Sequence, residues 1–227
     1  GIIGTEIAAK AIPDGYTMLM YDNSLTVMPS IFKALPFDPA KDFVPITSVS
    51  SVPFVLVVNI STPFKSVGDL ITEARSRPGQ LNYGSAGIGS PPHLAAELLA
   101  AMAGVTIIHV PFKGAPQALI EVMAGRLQFV FSSMPLAKPQ IEAGKVRGLA
   151  VSTPRRAAAL PNLPTVDEAG LKGYDVTVWN GLFAPSGTRN DVITKLSEHV
   201  IRALNDPDVK EKLAARGAEA QIMTHAA

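Results

Sequence analysis

The sequence of 227 residues contains no cysteine. Disulfides, thiolate metal ligands and cysteine nucleophiles are therefore excluded. Charged residues are also scarce, at 17%, and the 20 lysines and arginines nearly balance the 19 aspartates and glutamates without a long basic run. This balance argues against a general nucleic-acid-binding surface. No apolar run reaches the roughly 18 residues of a membrane span, yet the 47% hydrophobic content is enough for one substantial core or two smaller ones.

Histidine is rare as well, with four residues: His93, His109, His199 and His225. No pair has H-x-x-x-H or H-E-x-x-H spacing, so we expect no metal site and no cofactor. His93 falls in the first turn of a predicted helix, where it either contacts a ligand or hydrogen-bonds locally. His109 lies on an apolar strand, and we interpret it as a core histidine.

The chain has neither an initiator methionine nor a signal peptide, and it opens with GIIGTEIAAKAIPDGYTMLMYD. This stretch predicts a helix over 5–11, a turn at 13–15 and a strand over 17–21, which together form the second half of a βαβ unit. We therefore expect the natural protein to continue before Gly1 with a strand and a helix of roughly 30 or more residues.

Strand-like runs alternate with amphipathic helices along the rest of the chain, a pattern typical of α/β proteins. Strands are predicted over 55–58, 81–83, 106–110, 127–131, 146–151 and 175–184. Helices are predicted over 67–75, 91–103, 116–124, 136–143, 191–204 and 207–216. The helix over 91–103 is expected to bury Leu94, Leu98, Leu99 and Met102.

The stretch LNYGSAGIGSPPHLAAELLAAMAG, over 81–104, runs from a strand through a glycine-rich loop into a helix. Gly84, Gly87 and Gly89 permit tight turns that expose backbone amides, Ser90 is a favoured N-cap, and Pro91 suits a first helical turn. Because a helix N-terminus attracts negative charge, this loop predicts a binding site for a small anion.

One other interpretation of the loop stays open, and three known motifs are excluded. Glycine-rich turns of this kind also serve as plain connectors between a strand and a helix. The spacing G-x-x-G-x-G is not the dinucleotide fingerprint, and no G-K-[ST] follows to make a P-loop. Ser85 stands in G-S-A-G, not in the G-x-S-x-G of a nucleophile elbow.

Two long extended runs, SVPFVLVVN and YDVTVWNGLFAP, bracket the middle of the chain. We interpret them as two crossings between two lobes, near 52–58 and 175–184. The first lobe would then comprise 1–54 and 181–227, and the second lobe 55–180.

Five blocks carry a resemblance to a known family: IPDGYTMLM, LPFDPAKDFVPITSVSSVPFVLVVN, LNYGSAGIGSPPHLAAELLAAMAGV, HVPFKGAPQALIEVMAGRLQFVF and GLAVSTPRRAAALPNLPTVDEAG. In order and spacing, the sequence resembles the Bug (TctC-like) solute receptors of tripartite tricarboxylate transport systems. The resemblance implies a type II periplasmic-binding-protein fold, α/β and two-lobed, with the first βα unit missing. It also implies an exported, periplasmic receptor without catalysis, monomeric when complete, which closes on a small carboxylate and works with membrane permease subunits.

The resemblance also implies ligand-binding residues. The second-lobe loop of the family maps onto Ser85, Ala86, Gly87, Ile88, Gly89 and Ser90, with His93 following it. A polar cluster in the first lobe maps onto Asp22, Asn23 and Ser24, where glycine and threonine are more usual; Asn23 and Ser24 are candidate donors. Many members carry an aspartate where this chain has Ser132 and Ser133, so Ser132 is a further candidate and selectivity is expected to differ.

Two other functions compete with the receptor. Effector-binding domains of LysR-type transcriptional regulators share the fold and bind small anions, but they follow a helix-turn-helix module that this sequence does not show. An enzyme using Ser85 or Ser90 with His93 would need a carboxylate to orient the histidine, and the sequence marks none.

Overall fold

The computed structural model describes residues 1–223, so His225 lies outside the described part of the chain. The backbone divides into two compact units. Unit 1 comprises Gly1–Ser51, Val178–Ala215 and the described residues from Glu219 onward, and unit 2 comprises Val52–Thr177 with Arg216–Ala218.

Eight helices and nine strands make up these units within the described residues. The helices are α1 (Ile2–Ala9), α2 (Ser24–Ile31), α3 (Val67–Ser76), α4 (Pro91–Ala103), α5 (Ala115–Met123), α6 (Met134–Glu142), α7 (Asn190–Asn205) and α8 (Pro207–Ala215). The strands are β1 (Leu19–Asp22), β2 (Phe43–Val52), β3 (Phe54–Asn59), β4 (Asn82–Ser85), β5 (Ile108–Pro111), β6 (Phe129–Ser133), β7 (Val146–Val151), β8 (Val178–Pro185) and β9 (Glu219–Ala220). Among residues 1–223, no helix has both the length and the apolar character to cross a membrane.

Unit 2 is built on a five-stranded sheet with the order β5-β4-β6-β3-β7. Strand β4 pairs in parallel with β5 and β6, whereas β3 pairs antiparallel with β6 and β7. The carboxyl ends of the three parallel strands therefore meet at one edge of the sheet, and β4 passes into α4 at that edge.

Side chains alternate between the two faces of this sheet. On one face, Val55, Val57 and Val130 pack with Ala118 and Val122 of α5. On the other face, Tyr83 stacks on Phe129, and Phe131 stacks on Tyr174, whose hydroxyl donates to the Ala95 carbonyl of α4. Each face thus has its own helix layer and a closed apolar core.

Helix α4 has the predicted bounds but buries a different face. Leu99 is buried, whereas Leu98 and Met102 are exposed. The other buried side chains of α4 are small ones: Pro91, Pro92, Ala95, Ala96, Ala100 and Ala103. The prediction of a leucine face was wrong because alanines let the helix approach a sheet face already filled by large aromatic rings.

Unit 1 contains a four-stranded sheet with the order β1-β8-β2-β9. Strand β1 pairs antiparallel with β8, from Leu19 opposite Phe183 to Asp22 opposite Asn180. Two apolar clusters pack within this unit. One comprises the buried Ala8, Leu25, Met28, Phe37 and Phe43, and the other Ile46, Ala184 and Ile193.

The extended run around Pro53 is two strands, not one. Strand β2 belongs to the sheet of unit 1 and β3 to the sheet of unit 2, with Pro53 between them. Proline has no N–H to donate to a sheet, so it breaks the pairing at this point. The second run is shorter than predicted, since β8 begins at Val178 and not at Asp175.

Candidate functional site

The candidate site lies where β4 passes into α4, at the loop formed by residues 86–90. Gly87 and Gly89 have φ values of +116° and +80°, which L side chains rarely adopt. These two glycines are therefore required by the backbone, as the sequence predicted. Helix α4 begins directly after Ser90, and because Pro91 and Pro92 have no N–H, His93 is the first residue of the helix that carries one.

Internal hydrogen bonds hold the loop in shape. The Gly87 N–H donates to Ser85 Oγ at 3.0 Å, and the Gly87 carbonyl accepts from Ser90 Oγ at 2.6 Å and from the Ser90 N–H at 3.2 Å. The Gly89 N–H donates to His93 Nδ1 at 3.2 Å. Within the described residues, no such bond occupies the N–H of Ala86 or Ile88. Those two amides remain available to an anion.

Ser90 does not cap α4 with its side chain. It occupies the N-cap position, but its hydroxyl accepts no hydrogen bond from the helix and donates back to the Gly87 carbonyl. The predicted side-chain cap is therefore corrected: Ser90 closes the loop instead. This leaves the His93 N–H, the first one in α4, without a competing oxygen from the Ser90 side chain.

Gly84 serves packing, contrary to the prediction that it exposes the backbone. It is an interior residue of β4, and a Cβ atom there would lie 2.9 Å from the Cβ of Ala118 and 2.8 Å from Leu127 Cδ1. Glycine at this position thus lets α5 approach the sheet closely.

Ser132 lies at the same edge of the sheet. The parallel pairing of β4 with β6 ends at Gly84 opposite Val130, and Ser132 follows two residues after Val130, as Ala86 follows two residues after Gly84. The Ser132 side chain is only 1% exposed, and its hydroxyl has no hydrogen-bond partner in the described part of the chain. A buried polar group without a partner is costly unless a water or a ligand satisfies it.

Two imidazoles lie beneath the loop. The ring centroids of His93 and His109 are 4.2 Å apart, and the Tyr83 ring stacks on both, at 6.5 Å and 4.9 Å. His109 Nε2 lies 2.6 Å from Ser85 Oγ, while Tyr83 Oη donates to Glu97 Oε1 at 2.5 Å. His109 is only half-buried and bonds to the strand that carries the loop, so its interpretation as a core histidine was wrong.

The neutral form of each histidine is favoured. Burial lowers the pKa of His93, against the opposing effect of the Glu97 carboxylate. Burial also lowers the pKa of His109, and the neighbouring His93 lowers it further. Burial, together with the hydrogen bond to Glu97, raises the pKa of Tyr83, so its hydroxyl stays protonated. The rings therefore form a neutral stack under the loop.

The predicted residues Asn23 and Ser24 belong to unit 1. Ser24 is the first residue of α2, is buried, and uses both its N–H and its hydroxyl to donate to Asp22 Oδ1. The Asn23 N–H donates to the Trp179 carbonyl. The Asp22 carboxylate therefore already accepts the two hydrogen bonds that Ser24 can donate at the start of α2.

The structure brings one group of predicted residues together in unit 2. This group comprises Ser85, Ala86, Gly87, Ile88, Gly89, Ser90, His93 and Ser132. Sequence reasoning missed His109, Tyr83 and Glu97. Tyr83 and His109 become neighbours because β4 and β5 pair in parallel with these two residues side by side. The local sequence around either residue does not reveal this pairing. Among the described residues, no group of three or more candidate ligands is placed to hold a metal ion.

The sequence model of one protein family, described as the tripartite tricarboxylate transporter family receptor (TctC), matches residues 1–226. The chain belongs to this family. A curated relative from Pseudomonas sp. strain P51, the UPF0065 protein in the tcbD-tcbE intergenic region, is 39% identical over 218 residues. That match covers 96% of this chain and 65% of the relative, so the chain spans about two thirds of the relative's length.

Solved structures of TctC relatives have the same fold. R. palustris Rpa4515 with adipate matches with a TM-score of 0.94 and 37% identity, over 100% of this chain and 76% of that one. The periplasmic binding protein BugD matches with a TM-score of 0.89 and 32% identity, over 96% of this chain and 73% of that one. MatC from Rhodopseudomonas palustris with bound malate matches with a TM-score of 0.88 and 31% identity, over 96% of this chain and 74% of that one. The predicted α/β class, the periplasmic-binding-protein fold and the Bug and TctC resemblance are confirmed.

Proposed function

We propose that this protein is a periplasmic solute receptor that binds a small carboxylate at the 86–90 loop and delivers it to the membrane permease of a tripartite tricarboxylate-type transporter. The observation that carries the proposal is the buried hydroxyl of Ser132, which has no hydrogen-bond partner among residues 1–223 and follows the paired part of β6, at the edge of the sheet where β4 passes into the loop. A carboxylate there would accept from Ser132 and from the Ala86 and Ile88 amides.

The electrostatics of this edge favour an anion. The N-terminus of α4 carries roughly half a positive charge, and no acidic residue occurs between Asn82 and Leu94. The loop donors are mostly backbone amides, which recognise a carboxylate without specifying the rest of the ligand. Adipate in Rpa4515 and malate in MatC support a dicarboxylate as the ligand class.

Binding without chemical conversion is the proposed activity, and the surroundings of Ser85 support it. Ser85 Oγ lies 2.6 Å from His109 Nε2, a distance that also suits a nucleophile and its base. However, the Ser85 hydroxyl is already engaged within the loop, since its oxygen accepts from the Gly87 N–H and its proton is donated to the Gly87 carbonyl. Within residues 1–223 no carboxylate hydrogen-bonds to His109, since Glu97 accepts from Tyr83.

The receptor role and the location follow from the family. The matching family is a transporter receptor family, and BugD is a periplasmic binding protein. These relationships favour a receptor over the effector domain of a LysR-type regulator. The permease and the periplasmic location are tested by fractionation of the native host and by solute uptake after deletion of the gene.

The first prediction tests the site with Ser132→Ala. Because the hydroxyl has no partner within residues 1–223, its removal leaves no group there unsatisfied, and we expect the free energy of unfolding to change by less than about 0.5 kcal/mol. Affinity for the carboxylate should fall about five- to tenfold, as expected for one lost hydrogen bond of about 1 kcal/mol or slightly more. Isothermal titration calorimetry with adipate and malate measures the affinity.

Ser76→Ala is the matched control. Ser76 lies exposed on α3, in the same unit, and its hydroxyl donates to the Glu73 carbonyl. This variant should bind like the parent. Equal affinity of Ser132→Ala and parent would remove Ser132 from the site, and consumption of adipate or malate by the purified protein would overturn the receptor proposal.

A further inference from the structure

His93 accepts a hydrogen bond that only its neutral form can accept. The Gly89 N–H points at Nδ1 at 3.2 Å, so Nδ1 must carry a lone pair and the ring proton must be on Nε2. His93 is also the third residue of α4, where the positive end of the helix disfavours an imidazolium ion. A second proton on His93 would sit on Nδ1 and face the Gly89 N–H, so the hydrogen bond between them would be lost.

His109 acts on the other end of the loop. Ser85 Oγ lies 2.6 Å from His109 Nε2 and 3.1 Å from the Gly87 carbonyl, and it accepts from the Gly87 N–H. All three contacts are hydrogen bonds when His109 Nε2–H donates to Ser85 and the Ser85 hydroxyl donates to Gly87. This arrangement survives protonation of His109, because Nε2 carries a proton in both states.

We propose that His93 and His109 are positioning residues of the carboxylate site, which hold Gly89 and Ser85 so that the Ala86 and Ile88 amides face the ligand. The inference rests on the proposed function, in that the loop is taken as the carboxylate site. Neither histidine needs to touch the ligand. His93 makes the loop sensitive to pH, whereas His109 braces it at any pH.

The groups around His93 set the direction of this pH effect. Glu97 on the same helix favours protonation, His109 on β5 disfavours a second charge 4.2 Å away, and the protonated phenol of Tyr83 on β4 carries none. The loop itself contains no titratable side chain between Ser85 and Ser90. Acidification therefore releases Gly89, and the affinity for a carboxylate is expected to fall.

The experiment compares variants that keep or remove each contact atom. The amide oxygen of Asn takes the place of Nδ1, and the amide of Gln takes the place of Nε2. His93→Ala and His109→Ala should each weaken adipate or malate binding at about pH 7.5 by about tenfold, the effect of leaving a buried partner unsatisfied. His93→Asn and His109→Gln should restore affinity to within about threefold of the parent, a difference of less than 1 kcal/mol.

The pH profile separates positioning from a merely structural role. Affinity of the parent should fall on acidification below about pH 6.5, the ordinary pKa of histidine, because the pKa of His93 in the folded protein is lowered from that value. His93→Asn should abolish that fall, while His109→Gln should retain it. A parent affinity that rises on acidification would overturn the inference, because it would mean that an imidazolium contacts the carboxylate directly.

A measurement without ligand decides the inference even if neither adipate nor malate binds. In nitrogen–proton correlation spectra of the free protein, the Gly89 amide resonance should shift with pH in step with the His93 ring, and it should stop doing so in His93→Asn. A Gly89 amide that ignores the His93 titration would contradict the positioning role while leaving the proposed receptor function standing. Failure of both carboxylates to bind, with Gly89 following His93, would contradict the proposed function alone.

Discussion

Gly87 is the residue whose backbone conformation most restricts substitution in the loop. Its φ of +116° is strained for any L residue, whereas a Cβ there would meet only the Phe112 carbonyl, at an ordinary 3.5 Å. The cost of a substitution therefore arises from the backbone angle and not from crowding. Because its N–H and its carbonyl both bind within the loop, a change at Gly87 also moves the neighbouring amides.

We expect Gly87→Val to abolish carboxylate binding and to lower the free energy of unfolding by about 1–3 kcal/mol, the usual scale of local backbone strain. Gly104→Val is the matched control: Gly104 ends α4 with φ +62° and has open space around its Cβ position. It should cost comparable stability yet leave binding intact. Calorimetry and circular dichroism measure the two effects, and tight binding by Gly87→Val would show that the loop is only a connector.

The sequence predicted residue types at the site better than their roles. Gly87 and Gly89 could be predicted, because a loop between a strand and a helix start needs positive φ. The roles of Ser90 and His109 could not. Whether Ser90 caps the helix or closes the loop depends on a side-chain rotamer, and His109 meets Ser85 only through the parallel pairing of β4 with β5.

Helix α4 shows the same limit at the scale of an element. Its start and end were predictable, since two prolines begin it and Gly104, with a left-handed conformation, ends it. Its buried face was not, because leucines and alanines both recur at helical spacing. The aromatic rings of Tyr83, Phe129 and Phe131 already fill that side of the sheet, and this selects the alanine face.

Two adjacent leucines of α4 provide a direct test of this packing. Leu99 is 1% exposed and Leu98 is 37% exposed. Leu99→Ala should lower the free energy of unfolding by about 2–5 kcal/mol, the range for a buried leucine. Leu98→Ala should cost less than about 1 kcal/mol, because more than a third of this residue's surface stays in contact with water in the folded protein. Urea denaturation of both variants measures the difference, and similar costs would mean that the helix buries the leucine face after all.

At the scale of the whole molecule, unit 2 was more predictable than unit 1. Unit 2 is nearly continuous in sequence, and its alternating strands and helices follow the α/β pattern closely. Unit 1 is assembled from separate segments, and its sheet pairs β1 with β8 and β2 with β9 over long stretches of chain. Such pairings leave no local periodicity. Helix α2 was not predicted either, because Pro29 inside it is a residue that normally interrupts a helix.

The stability of the molecule should depend on pH through the two histidines of unit 2. Burial lowers the pKa of both His93 and His109 in the folded protein, so the unfolded chain binds protons more readily. The free energy of unfolding therefore has its full contribution from these residues above about pH 6.5, the ordinary histidine pKa. That contribution is lost as the pH falls through the lowered pKa values of the folded state.

We expect thermal unfolding followed by circular dichroism to show a midpoint that falls from about pH 7.5 to 5.5, because protonation of the unfolded histidines begins near their ordinary pKa. The double variant His93→Asn, His109→Gln should lose most of this slope, because amides do not titrate. Surface carboxylates do not contribute to the slope in this pH range. The pKa values of Asp38, Asp69 and Asp191 are lowered, so these groups affect stability only in more acidic solution. A double variant with the parent's slope would assign the pH dependence to groups outside the stack of Tyr83, His93 and His109.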